Sequence, residues 1–265
     1  MIVVPYIRLL PPPNPSPFTG DGTNTYLLGE SDIVVVDPGP DMPDHVEAII
    51  QMAHDNEGSI SAILVTHAHS DHLAASYQLQ ERTGAPIYAH KDVPGVNCIV
   101  QSSDVLKFTD CEVEAHETPG HADEHICYLI RKDRVLFSGD LISGTGSVLL
   151  SESPDALGEY VSSLKQMKQL RPSAILPGHG PRIDNPVERI NHLLDHREKR
   201  SQQILGFISR TPQSIDELVS HMYSDTSAEL LPLARRNVKA HLDMLLANRS
   251  VSFDGHRWST KSPGR

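Results

Sequence analysis

The stretch Thr66-His67-Ala68-His69-Ser70-Asp71-His72 places three imidazoles and one carboxylate within six residues. Residues 60–66, which lead into the histidines, form a mainly apolar run that predicts a buried strand. A loop that leaves a strand can turn side chains of both parities toward one point, and imidazole and carboxylate groups are ligands for zinc and related metals. The stretch therefore predicts a metal site, whereas the alternative, a chance surface cluster, leaves this density of imidazoles unexplained.

Polar residues follow three later apolar runs in the same manner. They are His121 in Thr118-Pro119-Gly120-His121, Asp140 in Ser138-Gly139-Asp140 and His179 in Pro177-Gly178-His179-Gly180. Each is adjacent to a glycine, which is typical of a tight turn after a strand. We expect these three residues to join the first cluster. His125 either contacts a ligand or substrate or is an ordinary histidine without a role at the site. Asp37 is predicted to contact a ligand, with a simple turn as the alternative.

The first 180 residues alternate short strand-like runs with helical patterns, with polar residues just past the strand ends. This pattern predicts an α/β layered domain with a site built from loops. Three other histidines are predicted to be solvated: His45, His54 and His90. The strand-like runs are 23–28, 33–36, 60–66, 112–118, 126–131 and 135–138, and the helical patterns are 44–56, 73–82 and 157–170.

The pattern changes near residue 185. Helical patterns cover 187–208, 214–222 and 230–247, and a short strand follows at 251–253. Helices followed by a small hairpin are typical of a winged helix-turn-helix. We predict a catalytic domain over 1–184 and a winged-helix-like domain over 185–265.

Composition limits the remaining possibilities. The chain of 265 residues is 38% apolar, and because no run of 18 apolar residues occurs, it predicts no transmembrane helix and no membrane partner. We expect no signal peptide, since the first residues lack a basic segment. Three cysteines without a Cys-x-x-Cys pair favour a reducing cytoplasm. The net charge of −11 divides into −14 for residues 1–180 and +3 for the remainder.

Taken together, the motifs resemble the metallo-β-lactamase superfamily. The resemblance covers roughly residues 20–185 and includes Asp37 as a first motif. It implies a four-layer αββα sandwich with two metal ions at one edge. The tail, with 196–205 followed by a helix-turn-helix pattern, resembles the β-lactamase-like protein 2 group, as do Gly22-Thr23-Asn24-Thr25-Tyr26 and 118–125.

The resemblance also implies a role for each site residue. His67, His69 and His121 are assigned to one metal ion and Asp71, His72 and His179 to the other, with Asp140 bridging. Seven ligands exceed the needs of one tetrahedral ion but suit a pair about 3.5–4 Å apart. We expect two divalent ions, in the first place Zn²⁺, with a bridging hydroxide as nucleophile. Asp71 and Asp140 are the predicted catalytic residues.

The substrate remains open at this point. The β-lactamase-like protein 2 group includes an endoribonuclease that cuts single-stranded RNA, and its fungal relatives include carrier-protein thioesterases. The resemblance thus implies a phosphodiesterase on RNA, with a hydrolase of small-molecule carbonyl substrates (thioesters, lactones or β-lactams) as the alternative. A non-enzymatic DNA-binding regulator would not need seven ligands. Ala68 stands where those relatives are expected to carry an aromatic residue.

Basic residues of the tail can be interpreted in two ways. Arg235, Arg236 and Lys239 fall on one predicted helix, and Arg197, Lys199 and Arg200 on another. They predict either an RNA-binding surface or helix faces that are solvated or packed against the acidic first domain. The second interpretation is favoured, because a net charge of +3 is modest for a nucleic-acid-binding module.

Overall fold

The computed structural model describes residues 2–4, 6–16 and 19–261. Within these residues, no helix is both long enough and apolar enough to cross a membrane.

The first sheet has its strands in chain order, antiparallel from β1 to β4 and parallel from β4 to β7. The strands are β1 (Ile2–Val4), β2 (Ile7–Leu10), β3 (Thr25–Leu28), β4 (Asp32–Val36), β5 (Ser59–Leu64), β6 (Ile87–Ala89) and β7 (Cys98–Ile99). Parallel neighbours need a crossover connection, and helices supply it between β4 and β5 and between β5 and β6. These helices are α1 (Pro43–His54), α2 (Ser70–Leu73) and α3 (Ala75–Thr83).

The second sheet has the order β12-β11-β10-β9-β8. Its strands are β8 (Val105–Lys107), β9 (Glu112–Glu117), β10 (Ile126–Ile130), β11 (Val135–Gly139) and β12 (Ala174–Pro177). Only the pairing of β11 with β12 is parallel within this sheet, and helix α4 (Ala156–Leu170) makes that crossover. Strands β9, β11 and β12 run in the same direction, so their C-terminal ends lie at one edge of this sheet.

Three apolar clusters separate four layers. One lies between the first sheet and helices α1 and α3, and another between the two sheets, where the rings of Tyr26 and Phe137 are 5.3 Å apart. A further cluster joins the second sheet to α4 through Leu129, Leu136 and Leu164. The predicted αββα sandwich is confirmed.

The C-terminal part has an apolar cluster of its own. It consists of α5 (Pro186–Ile208), α6 (Ile215–Met222), a 3₁₀ turn (Ala228–Leu230), α7 (Leu231–Ala247), β13 (Val251–Phe253) and β14 (Trp258–Thr260). Ser214 begins α6 with a capping box that includes Glu217. Ile204, Leu218 and Trp258 pack together in this cluster. The winged-helix-like architecture is confirmed.

Helices α5 and α7 also pack against the sandwich. Ile190 and Leu193 of α5 and Ala240 of α7 belong to the cluster that covers α4. Arg197 of α5 is 2% exposed and lies over Tyr160 of α4, so it is not part of an RNA-binding surface and packs against the first domain, as the favoured interpretation allowed. Its position between Leu193 and Ser201 directs it into the same buried face.

His45 corrects a second expectation. It was predicted to be solvated, yet it is buried on α1 with Nε2 3.1 Å from Oγ1 of Thr25. The residue lies beside Val46 on the apolar face of α1, which packs on the first sheet. A hydroxyl partner on β3 compensates for the burial of the imidazole.

Candidate metal centre

The seven predicted ligands lie on loops that leave the ends of strands in both sheets. The stretch 66–72 follows β5 and continues into α2, and His121 lies between β9 and β10. Asp140 comes directly after β11, and His179 is the second residue after β12. Because these strand ends meet at one edge of the sandwich, residues more than a hundred positions apart become neighbours.

One group contains His67, His69, His121 and Asp140, whose candidate ligand atoms all lie within 4.8 Å of one another. Nδ1 of His69 is 2.9 Å from Nε2 of His67 and 3.0 Å from Nε2 of His121. The three imidazoles present ring nitrogens to a common point. His69 is the exposed member, and the other three residues are buried.

A second group contains Asp71, His72 and His179. Nε2 of His179 lies 3.4 Å from both Nε2 of His72 and Oδ2 of Asp71. Asp140 joins the two groups, because its Oδ1 is 3.4 Å from His72 and 3.3 Å from His179, while its Oδ2 is 3.4 Å from Nε2 of His121. The carboxylate thus faces both groups, as a bridging residue must.

In three of these histidines, the ring nitrogen that points away from the site contacts an oxygen atom. Nδ1 of His121 is 2.7 Å from the carbonyl oxygen of Leu149, and Nδ1 of His179 is 3.0 Å from that of Gly22. A carbonyl oxygen can only accept, so Nδ1 carries a proton and Nε2 is the ring nitrogen that faces the site. In the same way, Asp37 contacts Nδ1 of His72 at 2.9 Å, as predicted.

Carboxylates hold protons on the imidazoles of the second group. Burial lowers the pKa of His72, but the carboxylates of Asp140 and Asp37 outweigh burial and raise this pKa well above its usual value. Burial likewise opposes protonation of His179, yet hydrogen bonds to Asp140 and Asp71 raise its pKa to about 9. These protonated imidazoles balance the carboxylates in the absence of another cation.

The pKa values of the two site carboxylates, Asp71 and Asp140, are lowered. Burial raises the pKa of Asp71, but a hydrogen bond from His179 and the charge of His72 outweigh it and lower this pKa to about 2. The pKa of Asp140 also falls well below its usual value, since His72 and His179 outweigh burial. Both carboxylates are therefore ionised at neutral pH.

His125 is completely buried behind the site. Its Nε2 accepts a hydrogen bond from the backbone N–H of Asp140 at 3.1 Å, and its Nδ1 lies 2.8 Å from Oγ1 of Thr118. A substrate cannot reach it, so the expectation of substrate contact is wrong and that of contact with a site residue is confirmed. The imidazole fixes the backbone at the bridging carboxylate.

The donor set fits divalent cations. Oδ1 of Asp140 is buried, and its polar neighbours are the ring nitrogens of His72 and His179 at 3.4 and 3.3 Å. A cation between these groups would offset the cost of burying the carboxylate. Carboxylate oxygens and imidazole nitrogens in two groups with a shared carboxylate are the ligands that paired first-row metals use. The structure thus brings all seven predicted residues together, and their roles as ligands stay predictions.

Sequence reasoning missed the groups that orient the site. Thr23 donates its hydroxyl to Oδ2 of Asp71 at 3.0 Å, and the carbonyl oxygens of Gly22 and Leu149 hold His179 and His121. No periodic pattern marks a backbone carbonyl as a partner, and these contacts depend on the paths of irregular loops.

Comparison with known proteins identifies the family. The metallo-beta-lactamase superfamily matches residues 18–95 and 104–179, and the beta-lactamase associated winged helix domain matches residues 214–258. The chain is 34% identical to the beta-lactamase-like protein 2 homolog of Drosophila melanogaster, covering 88% of this chain and 85% of that protein. It is 30% identical to an atrochrysone carboxyl ACP thioesterase of Aspergillus fumigatus, covering 72% of this chain and 61% of that protein.

Solved structures agree with this assignment. A metallo-beta-lactamase family protein from Thermus thermophilus superposes with a TM-score of 0.82 at 21% identity, covering 98% of this chain and all of that one. The fold and the cluster define a metal-dependent hydrolase. The chain belongs to the metallo-β-lactamase superfamily and carries that superfamily's associated winged-helix domain, and its His/Asp cluster indicates divalent-metal binding.

Proposed function

We propose that the protein is a binuclear hydrolase of carbonyl substrates, with thioesters as the substrate class. The observation that carries this proposal is the charge around the metal centre, where acidic side chains lie beside the site and the cations of α7 pair with carboxylates. A phosphodiester brings its own negative charge and needs positive potential beside the metals, whereas a thioester is neutral at the reacting carbonyl.

Acidic residues lie directly beside the site. Oε1 of Glu124 accepts a hydrogen bond at 3.0 Å from the backbone N–H of Ala68, between the two histidines of the first cluster. Asp123 is exposed, and together with burial and Asp155 it raises the pKa of Glu159. An anionic backbone such as RNA would be repelled by this group of carboxylates.

The basic side chains of α7 pair with neighbouring carboxylates. Arg235 pairs with Asp216, Lys239 pairs with Asp243, and Arg236 donates to the carbonyl oxygen of Leu150 and lies 3.5 Å from Glu152. An RNA-binding surface requires cations that are free to neutralise phosphates. This supports the interpretation that the basic residues of α7 form a solvated or packed helix face and not an RNA-binding surface.

Two divalent ions, when bound, lower the pKa of water and stabilise negative charge on oxygen. The protein's own residues contribute position and charge. Asp71 is ionised and 26% exposed at its side chain, and the Thr23 hydroxyl fixes its Oδ2. It can therefore hold a water molecule or receive its proton at the open side of the site. Asp140 holds the two groups together. Zn²⁺ is the metal that we propose, because imidazole dominates the donor set.

Similarity supports the same substrate class. The relative from Aspergillus fumigatus is named as a thioesterase that acts on an acyl carrier protein. Single-stranded RNA, implied by the resemblance of the tail, stays the alternative substrate and becomes an outcome of the test.

The test compares substrates and a site variant in one preparation. Zn²⁺-loaded protein is incubated with a short acyl-N-acetylcysteamine thioester, and the released thiol is measured; parallel samples receive labelled single-stranded RNA, a lactone or a β-lactam. We expect thiol release by the wild type. Asp140→Ala should abolish turnover and bind fewer than two metal ions per chain, because it removes the carboxylate shared by both groups.

Each outcome has a definite meaning. Thiol release by the wild type but not by Asp140→Ala supports the proposal, provided that the variant retains the wild-type circular dichroism spectrum. RNA cleavage without thiol release would replace it with a phosphodiesterase. Hydrolysis of the lactone or β-lactam alone would keep the carbonyl chemistry and overturn the thioester as its substrate. Full activity of Asp140→Ala would overturn the site.

A further inference from the structure

The segment from Ser143 to Leu150 has no regular secondary structure, yet it supplies a contact at the metal centre. Its Leu149 carbonyl oxygen accepts the hydrogen bond from Nδ1 of His121. Ser151 N donates at 2.8 Å to the carbonyl oxygen of Gly120, next to His121. The conformation of this loop therefore sets the direction in which Nε2 of His121 points.

Three arginines from the C-terminal helices bind the carbonyl oxygens of this loop. Arg189 donates through Nε and Nη2 to the carbonyl oxygen of Ser143 at 3.1 and 2.9 Å, and its Nη2 lies 2.6 Å from that of Gly146. Next along the loop, the carbonyl oxygen of Val148 accepts from Nη2 of Arg197 at 2.7 Å. The loop is thus bound on both sides of Leu149, since Arg236 donates to the carbonyl oxygen of Leu150.

Arg197 is the central and most buried of these arginines. It lies over the ring of Tyr160 on α4, with 5.0 Å from Cζ to the ring centroid, and its Nη1 donates to Oδ1 of Asn237 on α7 at 3.0 Å. These partners carry no charge, and Nε of Arg197 has no hydrogen-bond partner among the described residues. A buried guanidinium is costly unless its donors are satisfied, so its position depends on the loop carbonyl being in place.

We propose that Arg197 is a positioning residue of the metal centre, acting through the loop 143–150 on His121. The winged-helix-like part thereby fixes a predicted metal ligand that it does not touch. Dependence runs both ways, because the loop carbonyl accepts a hydrogen bond from Nη2 of the buried guanidinium and the guanidinium fixes the loop. This inference rests on metal binding at the site and is independent of the substrate proposed above.

The same network explains why the helices and the site are packed so closely at this point. A Cβ atom at Gly120 would lie 2.6 Å from the backbone of Tyr160, and the ring of Tyr160 contacts the guanidinium of Arg197. The turn that precedes His121 therefore rests directly on α4. Displacement of Arg197 would affect His121 from two sides, through the loop and through Tyr160.

The test uses the full chain and reads the metal centre directly. Arg197→Met and Arg197→Lys are loaded with Co²⁺, and the visible absorption spectrum and the dissociation constant of each metal ion are measured, together with kcat and KM on any substrate found. The matched control is Arg200→Met on the same helix, whose guanidinium contacts Tyr223 and Gln203 and not the loop.

We expect Arg197→Met to change the Co²⁺ spectrum and to weaken one metal ion by about 10- to 100-fold, the range observed when partners of metal ligands are removed. Arg197→Lys should recover only part of this loss, because an ammonium group cannot bind the Val148 carbonyl and Asn237 in the same planar geometry. Arg200→Met should match the wild type in both measurements.

A lower melting temperature with an unchanged spectrum and unchanged metal affinity would overturn the proposal, because it would show that Arg197 serves only to hold the fold. Should Arg197→Met fail to fold, Arg189→Gln provides the second test, since Arg189 lies nearer the surface and binds the same loop. We then expect a changed Co²⁺ spectrum in Arg189→Gln, and a wild-type spectrum would overturn the proposal. The Co²⁺ spectrum and the metal affinity are measured without substrate. A failure of the thioester proposal can therefore be distinguished from a failure of this one.

Discussion

His125 acts on the metal centre through the backbone of Asp140. Because its Nε2 accepts the Asp140 N–H and its ring is fully buried, the imidazole satisfies a donor that water cannot reach. Burial lowers the pKa of His125 well below its usual value, and the neighbouring His121 lowers it further. The imidazole is therefore neutral, and its Nε2 lone pair is available to the amide.

His125→Phe tests this role at nearly constant volume. The ring still fills the space, but the Asp140 amide loses its acceptor, so we expect a loss of about 1–3 kcal/mol in the free energy of unfolding and a lower metal content. Urea unfolding and metal analysis measure both effects. His54→Phe on the exposed end of α1 is the control and should change stability by less than about 0.5 kcal/mol. Equal behaviour of the two variants would contradict the assigned contact.

Gly120 determines how closely the turn before His121 approaches α4. Its φ is +132°, and a Cβ atom there would lie 2.6 Å from the Tyr160 backbone, whereas Gly84 has φ of +76° and open space around it. Both Gly→Ala variants incur backbone strain, but only Gly120→Ala adds a clash with the Tyr160 backbone. We expect it to lose about 1–3 kcal/mol more than Gly84→Ala in urea unfolding. Similar losses for both would argue against the close approach.

Regular elements show what can be predicted from the sequence. The apolar run before 66–72 and the glycines beside His121, Asp140 and His179 mark strand ends, and strand ends in layered sheets meet at one edge. That local information was sufficient for a layered α/β domain and for the positions of the candidate ligands, whereas the four-layer αββα arrangement was implied by the resemblance to the metallo-β-lactamase superfamily. The buried state of His45 was predicted wrongly, because solvent exposure of a polar residue depends on which neighbouring element covers its helix face. Arg197 packs against the first domain, which is one of the outcomes that the favoured interpretation of the basic residues allowed.

Helices α5 and α7 bury His241 between them. Its Nδ1 is 2.9 Å from Oγ of Ser201, and burial, with the charge of Arg197, lowers its pKa to about 3. The unfolded chain, with a pKa near 6.5, binds this proton more readily between pH 6.5 and 3. The contribution of His241 to stability is thus complete above pH 6.5 and decreases as the pH falls toward 3.

The prediction for this pair of helices is a difference in pH dependence. Between pH 7 and pH 5 the wild type should lose about 2 kcal/mol because of His241 alone. His241→Gln should lose correspondingly less over the same interval in urea unfolding, even if it is less stable at pH 7. His256→Gln in the exposed turn between β13 and β14 is the control and should keep the wild-type dependence. An unchanged slope in His241→Gln would show that the imidazole binds a proton as readily in the folded protein as in the unfolded chain.

On the scale of the whole molecule, the metal centre joins the two halves of the sandwich and, through the loop 143–150, the C-terminal helices. Removal of metal should therefore lower the melting temperature of the entire chain and not that of a single part. A ligand at 1,000 times its dissociation constant adds about 4 kcal/mol to stability. For a chain of this size we expect a shift on the order of 10 °C between chelator-treated and Zn²⁺-loaded protein.

The size of that shift should depend on pH with a definite sign. In the metal-free protein His179, with a pKa of about 9, and His72, with a pKa well above its usual value, hold protons at neutral pH, and a metal ion must displace them. The stabilisation by Zn²⁺ should thus increase from pH 6 to pH 9, with protons released on binding. Scanning calorimetry and a pH indicator measure the two effects, and Asp140→Ala should show little of either. An equal shift at pH 6 and pH 9 without proton release would mean that metal does not bind through these imidazoles.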